Sequence, residues 1–346
     1  MLAVASALAT CACESASVDA IPVVHAAVET EPSGGDPDDV AIWVDPLDAT
    51  RSLVISTDKS LGFFVHDLEG RLRQSLLGSE PDNVDLRYDF ELGDRRVVLL
   101  AAVDRRDDSI TLLTLDETTH TLAVAPGSGI SIADMDDPYG SCLMRSADGS
   151  VFVFVNAKSG EYRQYRLSGE SGTIEAALVR TFWVESQPEG CVADDEHGWL
   201  YVGEEDLGVH RIRAAPDGGT QPELVDDASG GRLEPDIEGL AIYRTADGGG
   251  YLVVSSQGND TYVVYERRPP NAFVTSFRIG QGAIDAATDT DGVEVAHADL
   301  GGPFREGLFV VQDDHNEGFT RNFKLVSWGE IAEAAGLTID TTAPIR

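Results

Sequence analysis

Three carboxylates, Glu189, Glu238 and Asp291, stand directly before a glycine in three copies of a recurring segment: QPEGCVA, DIEGLAI and DTDGVEV. Three earlier copies, DDVAIWV, DNVDLRY and DPYGSCL, put Val40, Val84 and Tyr139 in the same slot. Equivalent positions of a cyclic repeat lie on one ring, so three consecutive acids in phase converge. Packed carboxylates cannot all stay ionised without a cation or captured protons. Hard oxygen ligands in a flexible array suit Ca²⁺ better than a soft transition metal, and Cys/His ligand spacing is absent. One strand further on, each copy has a polar turn, and these turns divide by sign. The first three carry Lys59, Arg105 and Lys158, whereas the last three carry Glu204-Glu205-Asp206, Asp260 and Asp313-Asp314. Cations facing metal-binding carboxylates suit a phosphate-bearing substrate. Solvated turns and surface charge would explain any one copy, but not three in phase.

The copies align on Ala41, Asp85, Gly140, Gly190, Gly239 and Gly292, at spacings of 44, 55, 50, 49 and 53 residues. That is the length of a four-stranded propeller blade with its loops, and too long for a sandwich, whose strands recur every ~8–12 residues. Short β-branched runs broken by Gly, Asp and Asn fill the chain from Val24 to Trp328, including Leu53–Thr57, Val97–Val103, Tyr251–Ser255 and Leu308–Val311. The expected fold is therefore all-β, a six-bladed β-propeller of four-stranded antiparallel blades over residues 24–330. Blade six runs out of chain after Phe323–Trp328, so His25–Thr30 is expected to close the ring with an N-terminal strand. One helix is expected, Trp328–Ala335, within a C-terminal cap and tail at 331–346.

The 346 residues include 25 Lys+Arg and 60 Asp+Glu, a formal charge of −35. That balance excludes a general nucleic-acid binder, which needs clustered cations. With 42% hydrophobic residues and 35 glycines the chain still has a core and many turns, unlike a disordered acidic tail. Residues 1–20 begin MLAVASALATCA, an apolar run too short to span a bilayer, which reads as an export leader. Leu8-Ala9-Thr10-Cys11 approximates a lipoprotein box, so an outer-membrane lipoprotein stands beside a secreted or periplasmic protein. No stretch reaches eighteen apolar residues, so no membrane span is expected, and a monomer is. Beyond the leader only Cys142 and Cys191 remain, and two small buried thiols are favoured over one bridge.

At these positions the sequence resembles the β-propeller phytases. The resemblance runs from Glu29–Pro32 (ETEP) to Asn322–Trp328 (NFKLVSW), through NVDLRYDF, EGCVADDEHG, YVGEED, DIEGLAIY, SSQGN and DTDG. It implies a calcium-dependent 3-phytase-type phosphoric monoester hydrolase that removes phosphate from inositol hexakisphosphate (phytate), free or as calcium phytate. It further implies that Lys59, Arg105, Tyr139 and Lys158 contact phosphate, with Glu189 completing the catalytic set. Several calcium ions would be bound, directly or through water, by Glu29, Asp236, Glu189, Glu205, Glu238, Gln257, Asp285 and Asp291, with Asp39 at a second, structural site. Departures are Ser60 for a second lysine, Asp104 for asparagine and Val40 for proline, which bear on affinity more than on reaction class.

Other phosphatase mechanisms leave no trace: there is no Arg-His-Gly motif, no His-Cys-x₅-Arg loop and no Gly-x₄-Gly-Lys-Ser/Thr cradle. Asp289-x-Asp291-Gly292 fails as an EF-hand because Ala287 and Ala298 stand where acids are needed. His66, His120 and His197 read as structural or exposed, His315 lies in an acidic loop, and Trp43, Trp183, Trp199 and Trp328 read as blade packing. Two other readings remain, a non-catalytic calcium- or phosphate-binding propeller, against which the retention of both ring sets argues, and a calcium-dependent lactonase-type propeller, which needs no Lys/Arg trio.

Overall fold

The computed structural model describes residues 21–345 apart from 317 and 319, so the leader at 1–20 lies outside the described residues. Six antiparallel blades follow one another around an axis. In each, the first strand is innermost: Pro37–Trp43, Pro81–Leu92, Pro138–Arg145, Pro188–Asp194, Ile237–Arg244 and Val293–Ala296. Blades one to four are built from consecutive strands. In blade six, Leu308–Asn316 and Thr320–Ser327 are joined by Val28–Glu29, which pairs antiparallel with Leu325 and Lys324. The expected N-terminal closing strand is thus present. An unforeseen addition is Val23–Val24, which pairs in parallel with Phe273–Ile279 at the outer edge of blade five.

Sequence pattern follows from the ring. A blade sandwiched between two neighbours is covered on both faces, so its inner strands are hydrophobic throughout rather than alternating; Val151–Ala157 and Gly250–Ser256 are buried at every residue. The outermost strands meet solvent, and Leu72–Leu77 is mostly exposed. There are six core clusters, one in each seam between adjacent blades, such as Trp43, Ile55 and Leu100 between blades one and two. No blade can bury its faces alone, so ring closure and folding are one event.

The helix Trp328–Ala335 forms as expected and sets Trp328, Ile331 and Ala332 into the seam of blades five and six. Trp328 stacks on Tyr243 at 4.1 Å and donates from Nε1 to the Thr338 carbonyl at 3.1 Å, which fixes the tail. Trp183 departs from expectation, because it ends an outer strand and is 55% exposed. His120 and His197 pair with Asp45 and Asp194, while burial holds the His66 imidazole down at about 4.

Cys142 and Cys191 are not free thiols. They form a disulfide with Cα atoms 5.8 Å apart. The ring brings the first strands of blades three and four side by side, a proximity that a sequence separation of 49 residues conceals. Closing a loop of that size constrains the unfolded chain by roughly 4 kcal/mol. We therefore expect Cys142→Ser to lower Tm by about 5–10 °C, and reductant to do the same to the parent protein but not to the variant. Equal Tm values would show that the bridge adds nothing.

Candidate active site

The axial end of the first strand carries the same irregularity in blades one to five. Pairing with the second strand skips between Pro37 and Val40, Pro81 and Val84, Pro138 and Ser141, Pro188 and Cys191, and Ile237 and Leu240. The unpaired residues of such a bulge twist the strand and re-aim its side chains. Equivalent residues are therefore Asp38, Asp82, Tyr139, Glu189, Glu238 and, in blade six, Asp291. This corrects the sequence alignment, which slipped by two positions in blades one and two. Val40 and Val84 are core residues, 2% and 3% exposed. The apolar run after each bulge misled the alignment, whereas the preceding prolines, Pro37, Pro81, Pro138 and Pro188, mark the correct register. The ring slot thus holds five carboxylates and one tyrosine.

The residue after the slot explains the glycines. A Cβ on Gly190 would lie 2.7 Å from the Glu238 carbonyl oxygen, and one on Gly239 would lie 2.6 Å from that of Asp291. Adjacent inner strands approach too closely there for any side chain. Gly239 instead donates its amide to the Asp291 carbonyl at 2.9 Å, and Gly292 to that of Asp38 at 2.9 Å. Asp39 takes this position in blade one, where its Oδ2 accepts from the Val84 amide at 3.0 Å. It sits in the seam behind the ring, and burial, with Asp38 next in effect, pushes its carboxyl well up.

A second set of positions is fixed by one repeated hydrogen bond. The amides of Lys59, Arg105, Lys158, Glu205 and Gln257 donate to the carbonyls of Asp36, Glu80, Asp137, Gln187 and Asp236 at 2.8–3.1 Å. Each acceptor lies two residues before a ring carboxylate or Tyr139. The turn ring therefore runs Lys59, Arg105, Lys158, Glu205, Gln257, with Gln257 rather than Asp260 representing blade five. Asp260 instead caps a neighbouring loop, its Oδ1 accepting from the Asp289 amide at 3.0 Å.

Lys59 reaches Asp38 Oδ1 on its own blade at 2.7 Å and Asp291 Oδ2 on the adjacent blade six at 3.2 Å. Burial opposes its charge, but Asp38, Asp291 and Asp82 raise its pKa well above the ordinary value. One ammonium does not balance the ring. Burial first, then Asp38 and Glu205, lifts Glu189 to about 8 although Gln187 donates to it at 2.6 Å. Asp291 rises to about 7, chiefly through burial, with Lys59 opposing and Asp38 adding to the rise. Glu238 and Asp82 are pushed well up by burial and by Glu189 and Asp38 respectively. Burial also raises Glu205 and Asp236. On the other arc, Lys158 Nζ lies 4.4 Å and Arg105 Cζ 5.2 Å from the Tyr139 ring centroid, and Arg105 Nη1 is 3.7 Å from Asp82 Oδ2. The aromatic face holds both cations beside the acids.

Glu29 and Asp285 are not in the ring. They gather with Asp313 and Asn316 around the fully buried Lys324, whose Nζ is 2.7 Å from Glu29 Oε2, 2.8 Å from Asn316 Oδ1 and 3.3 Å from Asp313 Oδ2, and also contacts Asp285. Asp38, Asp82, Lys324 and Asn316 were not among the sequence-derived site residues. The donor set fits a hard cation: Asp38 Oδ2 and Asp82 Oδ2 are buried and accept no hydrogen bond from any donor. Among the described residues no three Asp, Glu, His or Cys side chains yet converge on one point; Lys59 and Lys324 stand between them.

A six-bladed propeller with an acidic axial ring and cations in the adjoining turns has the charge pattern of a site for a polyanionic substrate. The family model described as Phytase matches residues 1–345. A curated 3-phytase of Bacillus subtilis (strain 168) is 40% identical over 327 residues, covering 90% of this chain and 85% of that protein. The chain belongs to the phytase family and is an enzyme of that class. Among solved structures, the PQQ-bound aldose sugar dehydrogenase of Streptomyces coelicolor aligns with a TM-score of 0.51 at 12% identity, over 89% of this chain and 99% of that one, a likeness of fold alone.

Two outcomes follow. Lys324→Met removes the buried ammonium at the centre of the Glu29, Asp285 and Asp313 cluster, and we expect a loss of about 3–5 kcal/mol in metal-free protein, read by denaturant unfolding. An unchanged midpoint would show that the cluster does not depend on its ammonium. The second concerns pH. Glu189 and Asp291 hold protons to about 8 and about 7 when folded, above the ordinary carboxyl value near 4.5. In that window the folded state binds more protons than the unfolded, so stability falls as pH rises. Tm of chelated protein should decline from pH 5 to 8, and a flat or rising profile would contradict the ring electrostatics.

Proposed function

We propose that the protein hydrolyses phosphate from inositol hexakisphosphate with calcium ions bound at the acidic arc. The observation that supports this most is the pairing of two rings, a slot ring of carboxylates that includes Glu189, Glu238 and Asp291 and a turn ring that carries Lys59, Arg105 and Lys158 on blades one to three, with Tyr139 between the two cations of blades two and three. Asp38, Asp236, Glu205 and Gln257 would complete the ligand set, Asp39 would serve a separate seam site, and Glu29 and Asp285 a third. Bound calcium supplies positive charge to the phosphate and acidity to water.

The chain's own groups do the rest. Arg105 offers a planar fork to a phosphate and Lys158 a point charge, both steadied on Tyr139. Lys59, already between Asp38 and Asp291, is placed to share a phosphate oxygen with the acidic side. Glu189 is buried among other carboxylates, which outweighs the hydrogen bond it accepts from Gln187, so it holds its proton near neutrality until a cation displaces it. Two phosphates on adjacent carbons can then be engaged at once, one by the acidic arc's ions and one by the basic arc. A highly anionic substrate meeting a chain of −35 also favours the calcium complex as the form bound, since three local cations are screened beyond about 8–10 Å.

The disulfide supports export to an oxidising compartment, in keeping with the leader at 1–20; no helix among the described residues is long and apolar enough to cross a membrane. We read the enzyme as secreted or periplasmic, with lipid anchoring through Cys11 the variant form, and as a monomer.

Phosphate release from inositol hexakisphosphate should require calcium and cease on chelation, and Arg105→Ala should lose about a hundredfold in kcat at unchanged Tm, the scale of losing one transition-state donor. Calcium-independent turnover would reject the metal assignment. Full activity of Arg105→Ala would reject the basic arc.

A further inference from the structure

Arg321 opens the third strand of blade six, immediately beyond the turn of the acidic arc, and its side chain is 37% exposed. Its guanidinium joins two ring-bearing loops. Nε lies 2.6 Å from Asp314 Oδ1, and Nη1 pairs with Asp36. Asp314 is held to the Thr288 carbonyl at 3.2 Å, and Asp36 is the residue whose carbonyl fixes the Lys59 amide at 2.8 Å. Arg321 therefore sits where the acidic arc of blade six meets the basic arc of blade one, one residue contact from the backbone of Lys59.

We propose that Arg321 is a fourth substrate-binding cation, extending the arc of Lys59, Arg105 and Lys158 onto blade six, and that it contacts a phosphate beyond the two engaged for reaction. This rests on the reading of the site as one for a polyphosphorylated inositol. Solvent-accessible carboxylates such as Asp36 and the half-buried Asp314 hold an arginine only weakly, because water competes for both partners. A phosphate brings more charge and presents paired oxygens to the guanidinium fork, so it exchanges favourably with Asp36 or Asp314. The same two aspartates keep the long side chain at the rim before substrate arrives, which reduces the ordering cost of binding. A monophosphate ester has no further phosphate to offer Arg321 while its own occupies the axis. The cation therefore favours highly phosphorylated substrates.

The test compares Arg321→Gln and Arg321→Lys with the parent on inositol hexakisphosphate and on an aryl phosphate at fixed calcium, alongside Tm. Arg166→Gln, which removes an exposed arginine well along a strand leading away from the ring, controls for net charge. We expect Arg321→Gln to raise KM for the hexakisphosphate about tenfold with kcat unchanged, and to leave KM for the aryl ester unaltered. Arg321→Lys should fall between, and Arg166→Gln should match the parent. Unchanged hexakisphosphate KM in Arg321→Gln overturns the proposal. So does an equal rise for both substrates with a lowered Tm, which would make Arg321 a latch between blades. A parent enzyme inactive on the hexakisphosphate would instead overturn the functional reading itself, and this proposal with it.

Discussion

Like charges crowded at the axis govern this molecule. Asp38, Asp82, Glu189, Glu238 and Asp291 are brought into one buried ring, and a low-dielectric setting makes each ionised neighbour costly. Free protein meets that cost with Lys59, with a buried ammonium at the neighbouring Lys324 cluster, and with protons kept on carboxyls whose pKa values burial has raised. Calcium answers the same demand more strongly. Stability, metal affinity and activity thus share one origin.

The fold creates the crowding by repetition. In blades one to five a bulge at the axial end of the first strand turns one side chain inward and an amide-to-carbonyl bond sets one turn residue over the slot, while in blades three to six a glycine beside the slot lets neighbouring strands close up. Because these devices recur, chemistry changes around the ring by substitution alone. Acid becomes tyrosine at blade three, and lysine becomes glutamate at blade four. Arg105 and Lys158 need no separate scaffold, since Tyr139 occupies a slot that elsewhere holds a carboxylate.

Most of the architecture was legible because a propeller writes its period into the sequence. Six copies gave the blade number, and the missing strand of blade six gave the N-terminal closure at Val28–Glu29. What the sequence hid were contacts between blades. Asp38 and Asp82 escaped notice because a bulge of two residues has no signature in hydrophobic patterning; the prolines before it were the available marker. Lys324 sits in an apolar strand and shows its purpose only once Glu29, from the other end of the chain, is seated beside it. The Cys142–Cys191 bridge was concealed for the same reason. Local pattern finds elements, and only ring closure shows which of them share a seam.

Proton release on calcium binding tests the account most directly. Calorimetric titration of chelated protein at pH 6.5, in buffers of different ionisation enthalpy, counts protons displaced by the metal. Glu189 and Asp291 hold protons to about 8 and about 7, and burial pushes Glu238 well up, so we predict that binding releases one or more protons, and that Glu189→Gln releases fewer. Calcium binding without proton release, or the same release from Glu189→Gln, would contradict a ring of protonated carboxyls waiting for a cation.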